Sequence, residues 1–200
     1  VFMFFIIGQS GAVEYIDTRN YTEPLFVFAI MVIAGSKPIL VLAGRIVRVV
    51  ASLIPIDRQV AYFFTTLSIV PLLGSFITEP AAMTLAAFLL RDRFYTQGIS
   101  NKLMYGTLGV LFVNISIGGT LTPFAAPPVL MVAAKWGFDM QYMLTMFGWK
   151  AAIAVFVNAT ALTFLFAKEL TAMKKPAENG PKEDMPFWVI ATHLLFLVGV

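Results

Sequence analysis

A carboxylate wedged between a hydroxyl and a proline, Thr78-Glu79-Pro80, stands deep inside an apolar stretch that runs from Val60 to Leu90. A Glu placed there reaches water poorly from either end, and an ionisable group in such a segment is by default functional. Desolvation disfavours its charged form while a bound cation restores it, so a proton and Na⁺ compete for one carboxylate. Competition of that kind is sufficient for exchange. The competing reading makes Glu79 a cap of the following helix or the partner of a lysine.

Oxygen groups suited to a hard cation cluster around it in sequence. Ser75, Thr78 and Thr84 come from the same stretch, and Asn114, Ser116, Thr120 and Thr122 come from a later one, with Gly119 beside them. A Na⁺ site built on Glu79 and Asn114 is the expectation. Serine and threonine also bond backward within membrane helices, which is the competing reading for each hydroxyl. An amide beside Gly-Gly-Thr needs partners in a dry setting whichever reading holds. Lys37 and Lys150 are the other deep charges, candidates to neutralise Glu79 when no cation is bound, with snorkelling as the alternative. His193 is the only histidine and there is no cysteine, so a two-His metal site, a thiolate site or a Cys nucleophile cannot be assembled from these residues. A lone His in the final apolar segment reads as packing.

The elements that must position these groups are helices in lipid. Hydrophobic residues make up 59% of the 200 and charged ones 12%, with a mean hydropathy of +0.84, which removes a water-soluble domain from consideration. Long apolar runs without period-two alternation favour helices over a barrel, so the fold class is all-α and polytopic. Both ends of the chain fall inside apolar runs too short to cross a ~30 Å core, and a longer protein is expected. The stretch QSGAVEYIDTRNYTEP reads as a polar loop poor in positive charge. A span from near Leu25 is expected to kink or break at Gly35-Ser36-Lys37-Pro38, and an amphipathic helix with Arg45 and Arg48 follows.

Val60–Leu90, interrupted at LLGSFITEPAAM, is flanked by Arg45, Arg48 and Arg58 before and by Arg91, Arg93 and Lys102 after. Basic flanks at both ends place them on one cytoplasmic side, hence a re-entrant hairpin; one continuous helix would be about 46 Å long. Then comes a helix to about Ser116, a Gly/Thr/Pro-rich interruption, and a shorter helix from about Val129, together a discontinuous span. Gln141 to Ala167 reads as a full span ending at a lysine-rich linker, cytoplasmic by the same rule. Two neighbouring broken segments point to a transporter site at mid-membrane. The expected organisation is a membrane transport domain at 1–167, a cytoplasmic linker at 168–186 and the start of a further transmembrane helix at 187–200.

The strings GSFITEPAAMTLAA and NISIGGTLTPFAAPPVLM resemble the ion transporter superfamily, in particular its Na⁺/H⁺ antiporter branch, over roughly Val60 to Lys135. The resemblance implies that a cytoplasm-facing hairpin and an unwound helix meet at the ion site and that an inverted second copy completes the transporter. Thr78, Glu79 and Pro80 match the hairpin tip; Asn114, Gly118, Gly119, Thr120, Pro127 and Pro128 match the Asn-x-Gly-Gly-Thr…Pro-Pro string of the broken helix. Glu-Pro replaces the acid-amide pair common at the tip, and Ala125-Ala126 stands where many members have Gly-Asp or Gly-Asn. The function expected is secondary exchange of Na⁺ or Li⁺ for H⁺, with no cofactor beyond the transported ions. Partners are the lipid bilayer, small inorganic cations and, allowing for a homodimer, a second copy; nucleic acid is not among them. The expected location is a bacterial inner membrane. The alternative is a Na⁺- or H⁺-coupled carrier of an organic or inorganic anion on the same fold. An intramembrane enzyme lacks its groups here, and a non-transporting scaffold would tolerate alanine at both motifs.

Overall fold

The computed structural model describes residues 2–18, 36–173 and 185–199, with positions 21, 25, 28, 29 and 32 between them. All the regular elements among the described residues are helices, with no strand. The helices are α1 (Phe2–Asp17), α2 (Lys37–Leu53), α3 (Arg58–Ile77), α4 (Glu79–Arg93), α5 (Asn101–Gly118), α6 (Pro127–Trp136), α7 (Met140–Leu165), α8 (Ala167–Ala172) and α9 (Phe187–Gly199). Three of them, α3, α5 with its following turn to Leu121, and α7, are long and apolar enough to cross a membrane. In that solvent every backbone polar group must be paired within the protein, and helices do this within one segment.

Asp57 starts α3, its carboxylate accepting from the amides of Gln59 and Val60. The helix ends at Thr78, which stands at φ 75°, ψ 152°, and α4 begins at once with Glu79 and Pro80. A single residue therefore reverses the chain, and α4 packs back along α3 to form a helical hairpin. Gly74 permits the close approach, since a Cβ there would come within 3.1 Å of the Ala82 methyl. At the open end Arg93 Nε donates to Gln59 Oε1 at 2.7 Å, which closes the base of the hairpin.

α5 runs parallel to α3. Asn114 meets Leu67, Gly118 meets Pro71 and Thr122 meets Ser75, each step one helical turn further along both chains. α7 runs against α5, because Asn114 bonds to Val155 and Gly106 packs on Leu162. Buried Phe63, Leu67, Val70, Leu85, Leu111, Ile115 and Ala159 fill the space between α3, α4, α5 and α7. The start of α5 is held by Glu169 of α8, which accepts from Ser100 N at 2.8 Å and from Ser100 Oγ at 2.9 Å. One end of the bundle thus gathers the end of α2, the base of the hairpin, the start of α5 and α8.

Two expectations need adjustment. The polar stretch after the first apolar run is not a loop throughout: α1 continues through it to Asp17, with its irregularity at Gly8 (φ 73°). Nothing in QSGAVEYID is a proline, so the helix has no cause to stop there. The interruption after α5 starts later and ends earlier than expected, with a 3₁₀ turn over Gly119–Leu121 and α6 opening on Pro127. α7 is one helix carrying a π turn at Leu144–Gly148. The expected break at Gly35–Pro38 lies partly outside the described residues; Ser36 is extended and Pro38 sits in the first turn of α2. Most of the lysine-rich linker lies outside them too.

Candidate cation site

The tip of the α3–α4 hairpin and the broken end of α5 are stitched together by short polar side chains. Ser75 Oγ donates to the Gly118 carbonyl and accepts from Leu121 N at 3.0 Å. Thr122 Oγ1 returns the contact, donating to the Ser75 carbonyl at 2.7 Å. Glu79 N donates to the Ala125 carbonyl at 3.3 Å. Gly119 allows this closeness, since a Cβ there would lie 3.2 Å from the Ala126 methyl and 3.8 Å from Glu79 Cβ. The amides and carbonyls released where α3 and α5 end therefore find partners across the break, as dry surroundings demand.

At this crossing the Glu79 carboxylate accepts a hydrogen bond from Ser116 Oγ at 2.9 Å. Ser116 is the only side chain bonded to Glu79 among the described residues. Glu79 is partly buried in the first turn of α4, where the helix dipole favours its negative charge. Beside it Thr78 is buried, and its Oγ1 has no partner among the described residues. A positive φ at a residue with a branched Cβ stores about 1–3 kcal/mol of strain, and such strain gathers at functional sites.

The expected pairing of Glu79 with Asn114 is not what the structure brings together. Asn114 is fully buried, and its Nδ2 donates to the carbonyls of Leu67 at 2.8 Å and Val155 at 3.2 Å. Its Oδ1 accepts from Asn158 Nδ2 at 3.0 Å. The cause lies four residues past Leu67. Pro71 has no N–H, so the Leu67 carbonyl loses its helical donor and the Asn114 amide supplies one. Asn114 joins α3, α5 and α7 rather than facing the carboxylate. Thr120 and Thr84 bond back to the carbonyls of Ile117 and Pro80, which is the bland alternative for both. Lys150 is exposed with its Nζ 5.5 Å from the Trp149 ring centroid, and Lys37 is exposed at the start of α2. His193 lies against its own helix, Nδ1 at 2.8 Å from the Val189 carbonyl.

Asn158 was missed. An amide inside the apolar run of α7 raises the same question of partners as Asn114 does, and the two answer each other. Alanine at Asn114 is expected to lower stability by about 2 kcal/mol or more, because it strands the Leu67 carbonyl and the Asn158 amide in the core. Pro71→Ala restores an N–H to α3 and is expected to recover part of that loss in the double variant. Thermal unfolding of the four proteins in detergent reads the coupling, and strictly additive losses would disprove the link.

A family model described as "Putative Na+/H+ antiporter" matches residues 1–200. The chain belongs to that family. No curated protein and no solved structure matches the chain. Membership makes this a membrane-integral member of a cation/proton antiporter family, a class of transporters rather than enzymes. The candidate site rests on its own geometry: one carboxylate and hydroxyls from two elements, at a place where both backbones are interrupted.

Proposed function

We propose that the protein exchanges Na⁺ or Li⁺ for H⁺ through Glu79. The observation that carries this reading is the Glu79–Ser116 hydrogen bond, which joins a titratable carboxylate on the hairpin tip to a hydroxyl on the broken helix. With the proton gone, the carboxylate, the Ser116 hydroxyl and the unpartnered Thr78 hydroxyl supply oxygens for a dehydrated monovalent cation. With the proton present, the same carboxylate is neutral and the cation has no counter-charge. The two ions thereby occupy the site in turn.

The hairpin is proposed to enter and leave by one face, and an inverted second repeat is proposed to complete the transporter in a bacterial inner membrane. The turn after α5 lies against Gly148, eight residues along α7 or about 12 Å from its start, so the crossing sits well within the span of that helix. The basic flanks support a cytoplasmic base for the hairpin.

The anion carrier finds less support at this site. A helix N-terminus that cradles an anion does so with free amides. In α6 the first two positions are Pro127 and Pro128, without N–H groups, and Val129 N is already bonded to the Ala126 carbonyl. The N-terminus of α4 carries Glu79 itself, which repels an anion.

The deciding measurement uses the full-length protein in proteoliposomes with a pH dye inside. Na⁺ or Li⁺ added outside is expected to raise the internal pH, and K⁺ to do so far less. No pH change with either ion, together with Na⁺-dependent uptake of a labelled anion, would transfer the assignment to the anion carrier.

A further inference from the structure

α7 breaks its own register beside the proposed cation site. From Gly148 onward Ala151, Val155, Ala159 and Leu162 are buried, spaced three and four apart as one face of an α-helix demands. Before Gly148 the next buried residue is Met143, five positions back. In a continuous α-helix two residues five apart point about 140° away from each other. The π turn over Leu144–Gly148 absorbs the extra residue and brings Met143 round toward the face of Gly148. That face meets the turn after α5. Leu121 Cγ lies 3.7 Å from where a Cβ on Gly148 would stand, and both the first turn of α7 and its π turn touch Gly119–Leu121. Leu121 N in turn donates to Ser75 Oγ, and Gly119 abuts Glu79.

A π turn draws backbone amides to carbonyls five residues back instead of four, which disturbs the pairing of the carbonyls inside it. The Thr145 carbonyl accepts from the Trp149 indole, with Nε1 at 3.1 Å. The side chain of Trp149 thus supplies the donor that its own backbone amide gives this carbonyl in an α-helix. Trp149 stands nine residues along α7, about 14 Å from its start, well inside the span rather than in the headgroup belt where tryptophan is usual. In lipid an indole N–H has to find its partner within the protein. Trp149 is 56% exposed, so the hydrogen bond rather than packing is what it contributes. We propose that Trp149 is a positioning residue for cation binding. Its indole holds the π turn, the π turn faces Met143 and Gly148 toward Leu121, and Leu121 fixes the broken end of α5 that carries Ser116. The assignment rests on Glu79 and Ser116 being the cation's ligands.

The test compares Trp149→Phe and Trp149→Leu with wild type in the full-length protein, by Na⁺-driven pH change in proteoliposomes and by hydrogen–deuterium exchange over residues 140–149. Trp149→Phe keeps a ring and drops the N–H. It is expected to raise the KM for Na⁺ about tenfold with the maximal rate nearly unchanged, and to speed amide exchange over 140–149. Trp149→Leu is expected to match it. Deletion of Thr145 leaves Met143 four residues before Gly148, so an unbroken α-helix keeps both on one face without a π turn. In that background Trp149→Phe is expected to leave the KM unchanged. An unchanged KM in Trp149→Phe, a fall in maximal rate at constant KM, a loss confined to Trp149→Leu, or an equal rise in KM in the deletion background would each overturn the assignment. Absence of flux in the wild type would sink the exchange reading instead, and amide exchange would still report whether the indole holds the π turn.

Discussion

Glutamine at Glu79 is expected to bring Na⁺-driven proton movement down to the empty-liposome baseline while leaving the folded protein intact. The amide has nearly the shape of the carboxylate and its oxygen still accepts from Ser116, so the contact between hairpin tip and broken helix survives. What disappears is the charge and the titration. The variant can neither attract a dehydrated cation nor carry the proton back. Asp at the same position keeps the chemistry but withdraws the carboxylate by one methylene from Ser116. Its expected behaviour is residual exchange with a raised KM for Na⁺ and the proton still coupled. Because the proposed mechanism has Na⁺ and H⁺ compete for one group, added protons should raise the KM for Na⁺ without lowering the maximal rate. Exchange in Glu79→Gln at wild-type rate, with size-exclusion profiles matched, would remove Glu79 from the mechanism.

The second large effect concerns a glycine that touches no ion. A Cβ on Gly118 would fall 2.3 Å from the Pro71 carbonyl oxygen and 2.6 Å from its carbon, both backbone atoms. No side chain can rotate away to make room, so α3 and α5 would have to separate one turn below the Ser75–Thr122 contact, which would pull on the Ser75 bond to the Gly118 carbonyl. Overpacking of this kind costs typically about 1–3 kcal/mol and sometimes more. Gly118→Ala is therefore expected to lower the melting temperature clearly, and Gly118→Val to prevent recovery of a monodisperse protein. Gly109, on the same helix, is the control. A Cβ there meets nothing within 4 Å, and its change to alanine should be neutral or stabilising by up to about 1 kcal/mol. Equal behaviour of the two alanine variants would show that the close approach does not exist.

The broken elements were legible because glycine and proline have few uses inside an apolar helix. Gly74, Pro80, Gly118, Gly119, Pro127 and Pro128 marked the hairpin joint and the interruption to within a few residues. Glu79 was legible through the cost of a carboxylate in such a segment. The partners of Asn114 were not, because its role depends on Pro71, 43 positions earlier in the chain. Sequence spacing says that an amide needs partners; only packing says that the partner is a carbonyl orphaned by a proline on another helix. The helical continuation of α1 was hidden by its polar composition, which describes the solvent facing a helix as readily as it describes a loop.

Pro71 has one more consequence, and it is mechanical. The helical bond missing between Leu67 and Pro71 divides α3 into a lower part pinned by Asn114 and an upper arm of seven residues that ends at Thr78. Such an arm is about 10 Å long. A tilt of about 10° at the proline, a common site of helix bending, displaces its far end by roughly 2 Å. That distance separates a formed Glu79–Ser116 hydrogen bond from a lost one. The joint that makes the amide clamp necessary is thus also the place where a small rotation would open or close the proposed cation site.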